Sequence, residues 1–223
     1  MKLLSVKQAR SIWIVNLNDL NPRGLNLLGL IPLIIKKYNF QVFPTKPEEL
    51  FGKEIIEIKF SGGGFQKDPK YNISVDLTIF GWGFVAETRS STNDSNAFLN
   101  DLLNWVSIEV GLVPYQEVLS SIVYLSELLV QTDKSLNSLN PKLENFLKRL
   151  TSLVEGHEHH PFTFETSSII FGTDFTVVNP PGTFRFERLI NVPFSESRYY
   201  SAAPLQTEIH FEMLEELESI LSN

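Results

Sequence analysis

The sequence has no cysteine in 223 residues. That absence removes disulfide staples, thiolate nucleophiles and thiolate metal ligands together, and it fits a reducing compartment. Long apolar runs are missing too. The most apolar stretch, Leu25 to Ile35, is too short to cross a bilayer and carries Pro32, so it reads as part of a buried helix. Residues Met1 to Arg10 are charged and hold no apolar run ahead of a small-residue cleavage site, which argues against a secretory signal. The expected location is cytoplasmic. Positive charge is scarce and scattered: 19 Lys and Arg stand against 26 Asp and Glu, a formal net charge of −7. Neutralising phosphates needs a concentrated basic face, so neither nucleic acid nor an anionic membrane surface is the expected partner.

Recognisable catalytic motifs are also lacking. There is no Gly-x-Ser-x-Gly elbow and no His-Glu-x-x-His pair. Ser61-Gly62-Gly63-Gly64-Phe65 has the glycines of a phosphate-cradling loop without its Gly-Lys-Ser/Thr ending, so it reads as a loop or hairpin end within Ser61 to Lys70. No paired carboxylates stand out in a buried context, so acid–base catalysis has no anchor. These absences point away from an enzyme, and no cofactor is expected.

What is present is apolar and aromatic. The apolar fraction is 43%, and 17 Phe require substantial sheet faces to bury them. Ser11 to Leu17 reads as a strand, Leu25 to Tyr38 as a helix, Phe40 to Phe43 as a short strand and Lys53 to Phe60 as another. Tyr71, Ile73, Val75, Leu77 and Ile79 alternate with polar residues, the signature of a half-buried strand, and Gly81-Trp82-Gly83 breaks it before Phe84 to Thr88 continues extended. Thr92 to Ser95 opens a helix that Gly111 stops. Ser121 to Leu129 is strand-like. Asn140-Pro141 starts a helix with an apolar stripe at Leu143, Phe146, Leu147, Leu150, Leu153 and Val154. Phe162 to Phe171 and Thr183 to Val192 read as strands. A last helix from Thr207 places Ile209, Met213, Leu214, Leu217, Ile220 and Leu221 toward the core.

The order repeats. Glu87-Thr88-Arg89 is echoed by Glu196-Ser197-Arg198 at 198 − 89 = 109, and Ser11-Ile12-Trp13 by Ser121-Ile122-Val123 at 121 − 11 = 110. The fold class read from this is α+β: two related βαββα units, ferredoxin-like or a similar antiparallel sheet with helices on one face. An internal duplication is the stronger form of that reading. The halves are set at 1–115 and 116–223, packed into one compact unit.

Two groups of residues are candidate sites. Arg89 and Ser91 precede a helix start, where amide donors and the dipole favour an anion. If the halves are duplicates, Arg198 is the mate of Arg89, and the two arginines line a cleft between the halves with Trp82 and Tyr199 as its walls. Simple capping, with Arg89 bridged to Glu87, is the plainer account. The second group is His157, His159 and His160, whose imidazoles suit zinc, copper or nickel, with His210 able to add a ligand from a distant helix. A solvated linker is the plainer account there. The last helix carries Glu208, Glu212, Glu215, Glu216 and Glu218 with no Lys or Arg, either a solvated face or a docking surface for a basic partner. The function expected is non-catalytic, through protein–protein interaction or homo-oligomeric assembly, with the partner itself or another protein. The alternative is a protein or enzyme that binds a small anionic ligand between the halves.

Overall fold

The computed structural model describes residues 1–24, 29–44, 57–155 and 163–222. The chain is α+β. Its elements run β1 (Lys2–Val15), α1 (Leu17–Leu20), α2 (Leu30–Tyr38), β2 (Glu57–Asp68), β3 (Tyr71–Phe80), β4 (Gly83–Thr88), α3 (Thr92–Val110), α4 (Tyr115–Val118), β5 (Leu119–Gln131), α5 (Glu144–Glu155), β6 (Ser168–Phe171), β7 (Phe184–Arg188), β8 (Arg198–Ala203) and α6 (Thr207–Leu221). Apart from the one-turn helices α1 and α4, each half runs strand, helix, three strands, helix. That is one strand more than the expected βαββα. In the first half, Phe84 to Thr88 is a strand in its own right, because the two-residue turn Gly81-Trp82 folds it back with Phe80 opposite Gly83. In the second half, β8 gave little signal, since its inward residues are Tyr199, Ser201 and Ala203 rather than branched aliphatics.

The chain divides into two compact units. The larger comprises Val6–Glu127 and Pro204–Glu208, and the smaller comprises Met1–Ser5, Leu128–Ala203 and Ile209–Asn223.

In the larger unit the strands lie in the order β2-β3-β4-β1-β5. The registers from β2 to β1 are antiparallel and stack side chains into cross-strand rows on one face. Phe60, Leu77, Ala86 and Ser11 form one row, and Ile58, Ile79, Phe84 and Trp13 form the next. Helices α2 and α3 cover that face. Leu30, Ile34 and Tyr38 of α2 and Phe98, Leu99, Leu102, Leu103 and Val106 of α3 join the strand residues in one buried cluster. Burying a side chain of this size is worth about 1.5–3 kcal/mol, so this face dominates the unit's stability. Ser91 caps α3 by accepting from the Asp94 amide at 3.1 Å, and Gly111 ends it in the left-handed region at φ 72°. Pro32 sits in the first turn of α2, where its missing amide is harmless.

The three glycines are not a loop. β2 runs through them to Asp68, with a bulge between Phe60 and Gly63. A Cβ on Gly63 would lie 2.4 Å from the Phe40 ring, so glycine lets that ring lie flat on the sheet. The expected strand at Phe40 to Phe43 is reduced to an isolated bridge between Val42 and Ser61. The part of the Lys53 to Phe60 strand before Glu57, and the part of the Leu25 to Tyr38 helix at 25–28, lie outside the described residues.

In the smaller unit the order is β5-β8-β7-β6, with β6, β7 and β8 antiparallel. Phe186, Tyr199, Ser201 and Ala203 of the sheet are buried, together with His210, Leu214, Leu217 and Leu221 of α6. Two expectations fail here. Ile209, Met213 and Ile220 face outward, with 44%, 42% and 54% of their surface exposed. The residue turned inward in their place is His210. The α5 stripe also fails to form core: no residue of α5 is buried, and Phe146 and Leu153 are 62% and 60% exposed.

Several buried positions of β1, β4 and α3 correspond to buried positions of β5, β8 and α6 at a spacing of 207 − 92 = 115. At that spacing β4 maps onto β8 end to end, and α3 and α6 share their first residue. Thr207, His210, Leu214, Leu217 and Leu221 fall on Thr92, Ser95, Leu99, Leu102 and Val106, every one of them buried.

Candidate functional site

The amino terminus of α3 is the best-defined polar site among the expected residues. Ser91 holds the capping position, and the Thr88 hydroxyl donates to the Ser91 carbonyl at 3.0 Å. Asp94 lies in the first turn and accepts from Lys67 Nζ at 2.7 Å. Partial burial pushes the Asp94 carboxyl up, but hydrogen bonds from Lys67, Ser90 and Ser91 and the Lys67 charge outweigh it, so its pKa falls below the usual range. The negative charge that a helix amino terminus attracts is thus already supplied by the chain. Arg89 is exposed beside this cap. With Lys67, Asp68, Tyr71, Ile73 and Asp94 it borders a shallow, open hollow of about 600 Å³.

Within the larger unit, Trp82 does not join it. Trp82 precedes β4 and Arg89 follows it, so the strand holds them roughly 20 Å apart at about 3.3 Å per residue. Trp82 is 45% exposed and stacks on Phe80 at the β3–β4 turn, with centroids 4.7 Å apart. Arg198 and Tyr199 belong to the smaller unit. Arg198 opens β8 and pairs with Glu196 at 3.1 Å, whereas Arg89 lies just past the end of β4. The two arginines therefore occupy opposite ends of corresponding strands. The Glu-x-Arg echo at 109 is not the spacing at which the structures match, and the position corresponding to Arg89 is Pro204.

Tyr199 is fully buried, so its ring is unavailable as the wall of an open pocket. It stacks on Phe186 at 4.6 Å and 12°, and its hydroxyl reaches the Lys134 carbonyl at 3.4 Å. Burial raises its pKa, against the pull of the nearby Arg188. Arg188 donates to Glu165 at 2.6 Å and lies over the Phe194 and Tyr199 rings, a structural clamp.

His157, His159 and His160 lie outside the described residues. Among the described residues no group of three or more His, Asp or Glu could hold a metal ion, and no helix is long and apolar enough to cross a membrane.

Two polar arrangements escaped the sequence. The first is centred on His210, which the sequence places on a helix but offers as a metal ligand. It is fully buried in the smaller unit, with Nε2 2.8 Å from Ser201 Oγ. Ser201 Oγ donates to the Arg185 carbonyl at 2.7 Å, so its lone pair is what meets the imidazole, and Nε2 carries the hydrogen. Burial lowers the His210 pKa to about 4, so the ring is neutral at pH 7. The corresponding buried position in α3 is Ser95, which shares a 2.7 Å hydrogen bond with Ser11. The second arrangement lies within the larger unit. The Thr92 amide donates to Thr207 Oγ1, and the Thr207 amide donates to Thr92 Oγ1, both at 2.9 Å. Each hydroxyl satisfies one orphan amide of the other helix start. Hydroxyl-bearing helix starts are visible in a sequence; their mutual pairing is not.

No protein-family model matches the chain, and no curated protein matches it at a significant level.

Proposed function

We propose that this chain is a non-catalytic protein that works by binding another protein or further copies of itself. One observation carries this reading. Of the twenty-two exposed large apolar side chains among the described residues, sixteen belong to the smaller unit, although it is the shorter of the two. They include Phe146 and Leu153 of α5, Ile170 and Phe171 of the short strand β6, Phe175 and Val178 after it, and Ile209, Met213 and Ile220 of α6. Isolated exposed apolar residues need no explanation, but a concentration of this kind marks an interaction surface. Among the described residues β6 is paired only with β7, so its outer edge presents free backbone groups beside apolar side chains.

The anionic-ligand alternative gains no comparable support, because Asp94 already occupies the helix start beside Arg89 and Tyr199 is buried. We further infer that the halves divided near residue 115 are duplicates of one βαβββα unit. The support is the spacing of 115 shared by buried positions of β1 and β5, of β4 and β8, and of α3 and α6.

Cross-linking in cells at native expression, followed by mass spectrometry, tests the functional reading. The expected result is cross-links from α5, β6 or α6 to another chain, whether foreign or identical. A species of 25.4 kDa alone, both in cells and purified at high concentration, overturns it.

A further inference from the structure

Among the differences between the two halves, one lies on a helix face and bears on what could cover it. In the larger unit, α2 lies across Phe98, Asp101 and Trp105 of α3. Tyr38 meets Phe98 edge-on at 4.8 Å and donates to Asp101 at 2.6 Å, while Lys37 donates to the same carboxylate at 2.7 Å and sits 4.8 Å over Trp105. The cover is a helix that brings an aromatic ring and a cation to an apolar–acidic–apolar stripe. At the spacing of 115, that stripe becomes Met213, Glu216 and Ile220 of α6. The pattern of apolar, acidic, apolar at i, i+3, i+7 is kept, but Met213 and Ile220 are 42% and 54% exposed.

The chain carries a stripe of the opposite kind. Phe146, Arg149 and Leu153 of α5 also fall at i, i+3, i+7, and read apolar, basic, apolar. All three are exposed. Among the described residues Arg149 has no ion-pair partner, whereas its neighbour Lys148 is engaged with Glu144 at 2.6 Å. Because Phe146 and Met213 are bare in the same chain, its own α5 does not cover its own α6.

We infer that the Met213–Glu216–Ile220 face of α6 is the docking site for α5 of a second copy, and that the protein forms a two-fold dimer. Laid antiparallel, the stripes set Arg149 against Glu216 and the Phe146 and Leu153 side chains against Ile220 and Met213. A two-fold axis makes the contact twice, once in each direction. Glu212 and Glu215 flank the acidic face and Lys142 precedes the basic one, so the long-range charge agrees with the contact. This inference rests on the assembly reading above and narrows it to one partner and one surface.

Light scattering on purified protein, with circular dichroism to confirm folding, tests it. The wild type is expected at twice the chain mass, and Arg149→Glu and Glu216→Arg are each expected to weaken dimerisation at least tenfold. The double variant Arg149→Glu/Glu216→Arg restores both pairs with reversed sign and should dimerise again. A wild type that stays monomeric at high concentration overturns the inference, as do single variants that dimerise like wild type. A folded double variant that stays monomeric overturns it too. A monomeric protein that still cross-links to a foreign chain in cells sinks the dimer and leaves the functional reading standing.

Discussion

Replacing His210 with Gln should remove most of the pH dependence that one buried ring gives this fold. His210 is fully buried and meets Ser201 through Nε2. In the unfolded chain it titrates near the ordinary value of 6.5, while burial lowers the folded value to about 4. Above pH 6.5 the ring is neutral in both states and the stability it permits is fully present. As the pH falls from there, the unfolded chain takes up the proton first and stability is lost, with a limiting slope of about 1.4 kcal/mol per pH unit. The loss saturates once the folded ring protonates near pH 4, after a total of roughly 3 kcal/mol. Gln can donate to Ser201 from a similar position and does not titrate. Urea unfolding of both proteins between pH 7.5 and pH 4 should therefore give curves that converge on acidification, with the wild type losing more. Carboxylates such as Asp94 and Glu218, whose pKa values are lowered, lose stability in both proteins and cancel in the difference. Parallel curves would refute the reasoning, and so would an NMR titration placing His210 near its ordinary pKa.

Two further outcomes follow from contacts already described. Gly63→Ala drives a Cβ to within 2.4 Å of a Phe40 ring that Tyr38, Phe60 and Phe98 hold in place, so it should cost about 1–3 kcal/mol in denaturant unfolding. Gly81→Ala, with open space at its Cβ, should be close to neutral, and equal effects at the two sites would contradict the packing argument. Thr92→Val should expose the Thr207 amide to hydrogen exchange, and Thr207→Val should expose that of Thr92, each at a cost of about 1–3 kcal/mol. Unchanged protection of the partner amide would mean that the reciprocal bonds do not persist in solution.

The sequence was most informative where one periodicity met one burial pattern. The alternation from Tyr71 to Ile79 is β3, and the cap and stop around Thr92 and Gly111 bound α3. It misled where the deciding contact is distant in the chain. Nothing near Gly62 to Gly64 announces that Phe40 will lie on that strand, so the glycines read as a loop or hairpin end. The apolar face of α6 was assigned by hydrophobicity. His210 is inside because Ser201 satisfies it, and only their apolar character points Ile209, Met213 and Ile220 toward the core. Of the candidate site, Ser91 was readable as a cap from its local context. The pairing of Arg89 with Arg198 is not a local property, since it depends on a register that three-letter matches cannot set.

On the proposal that the halves are duplicates, packing rather than a short match sets the register. Identity between the halves at the spacing of 115 is sparse, and the identical pairs with both members buried are Ser11 and Ser126, Val15 and Val130, Thr92 and Thr207, Leu99 and Leu214, and Leu102 and Leu217. Other identical pairs do not share burial, as with Phe60, which is buried, and Phe175, which is exposed; Arg89 and Arg198 of the echoing tripeptides are both exposed. Packing density penalises a change of volume inside and tolerates almost any change outside. A repeat in a sheet-and-helix protein is therefore better sought among inward positions, at the period of each element, than among short runs of identical letters. Phe98 is buried under α2, whereas Met213, at the same place in α6, is 42% exposed.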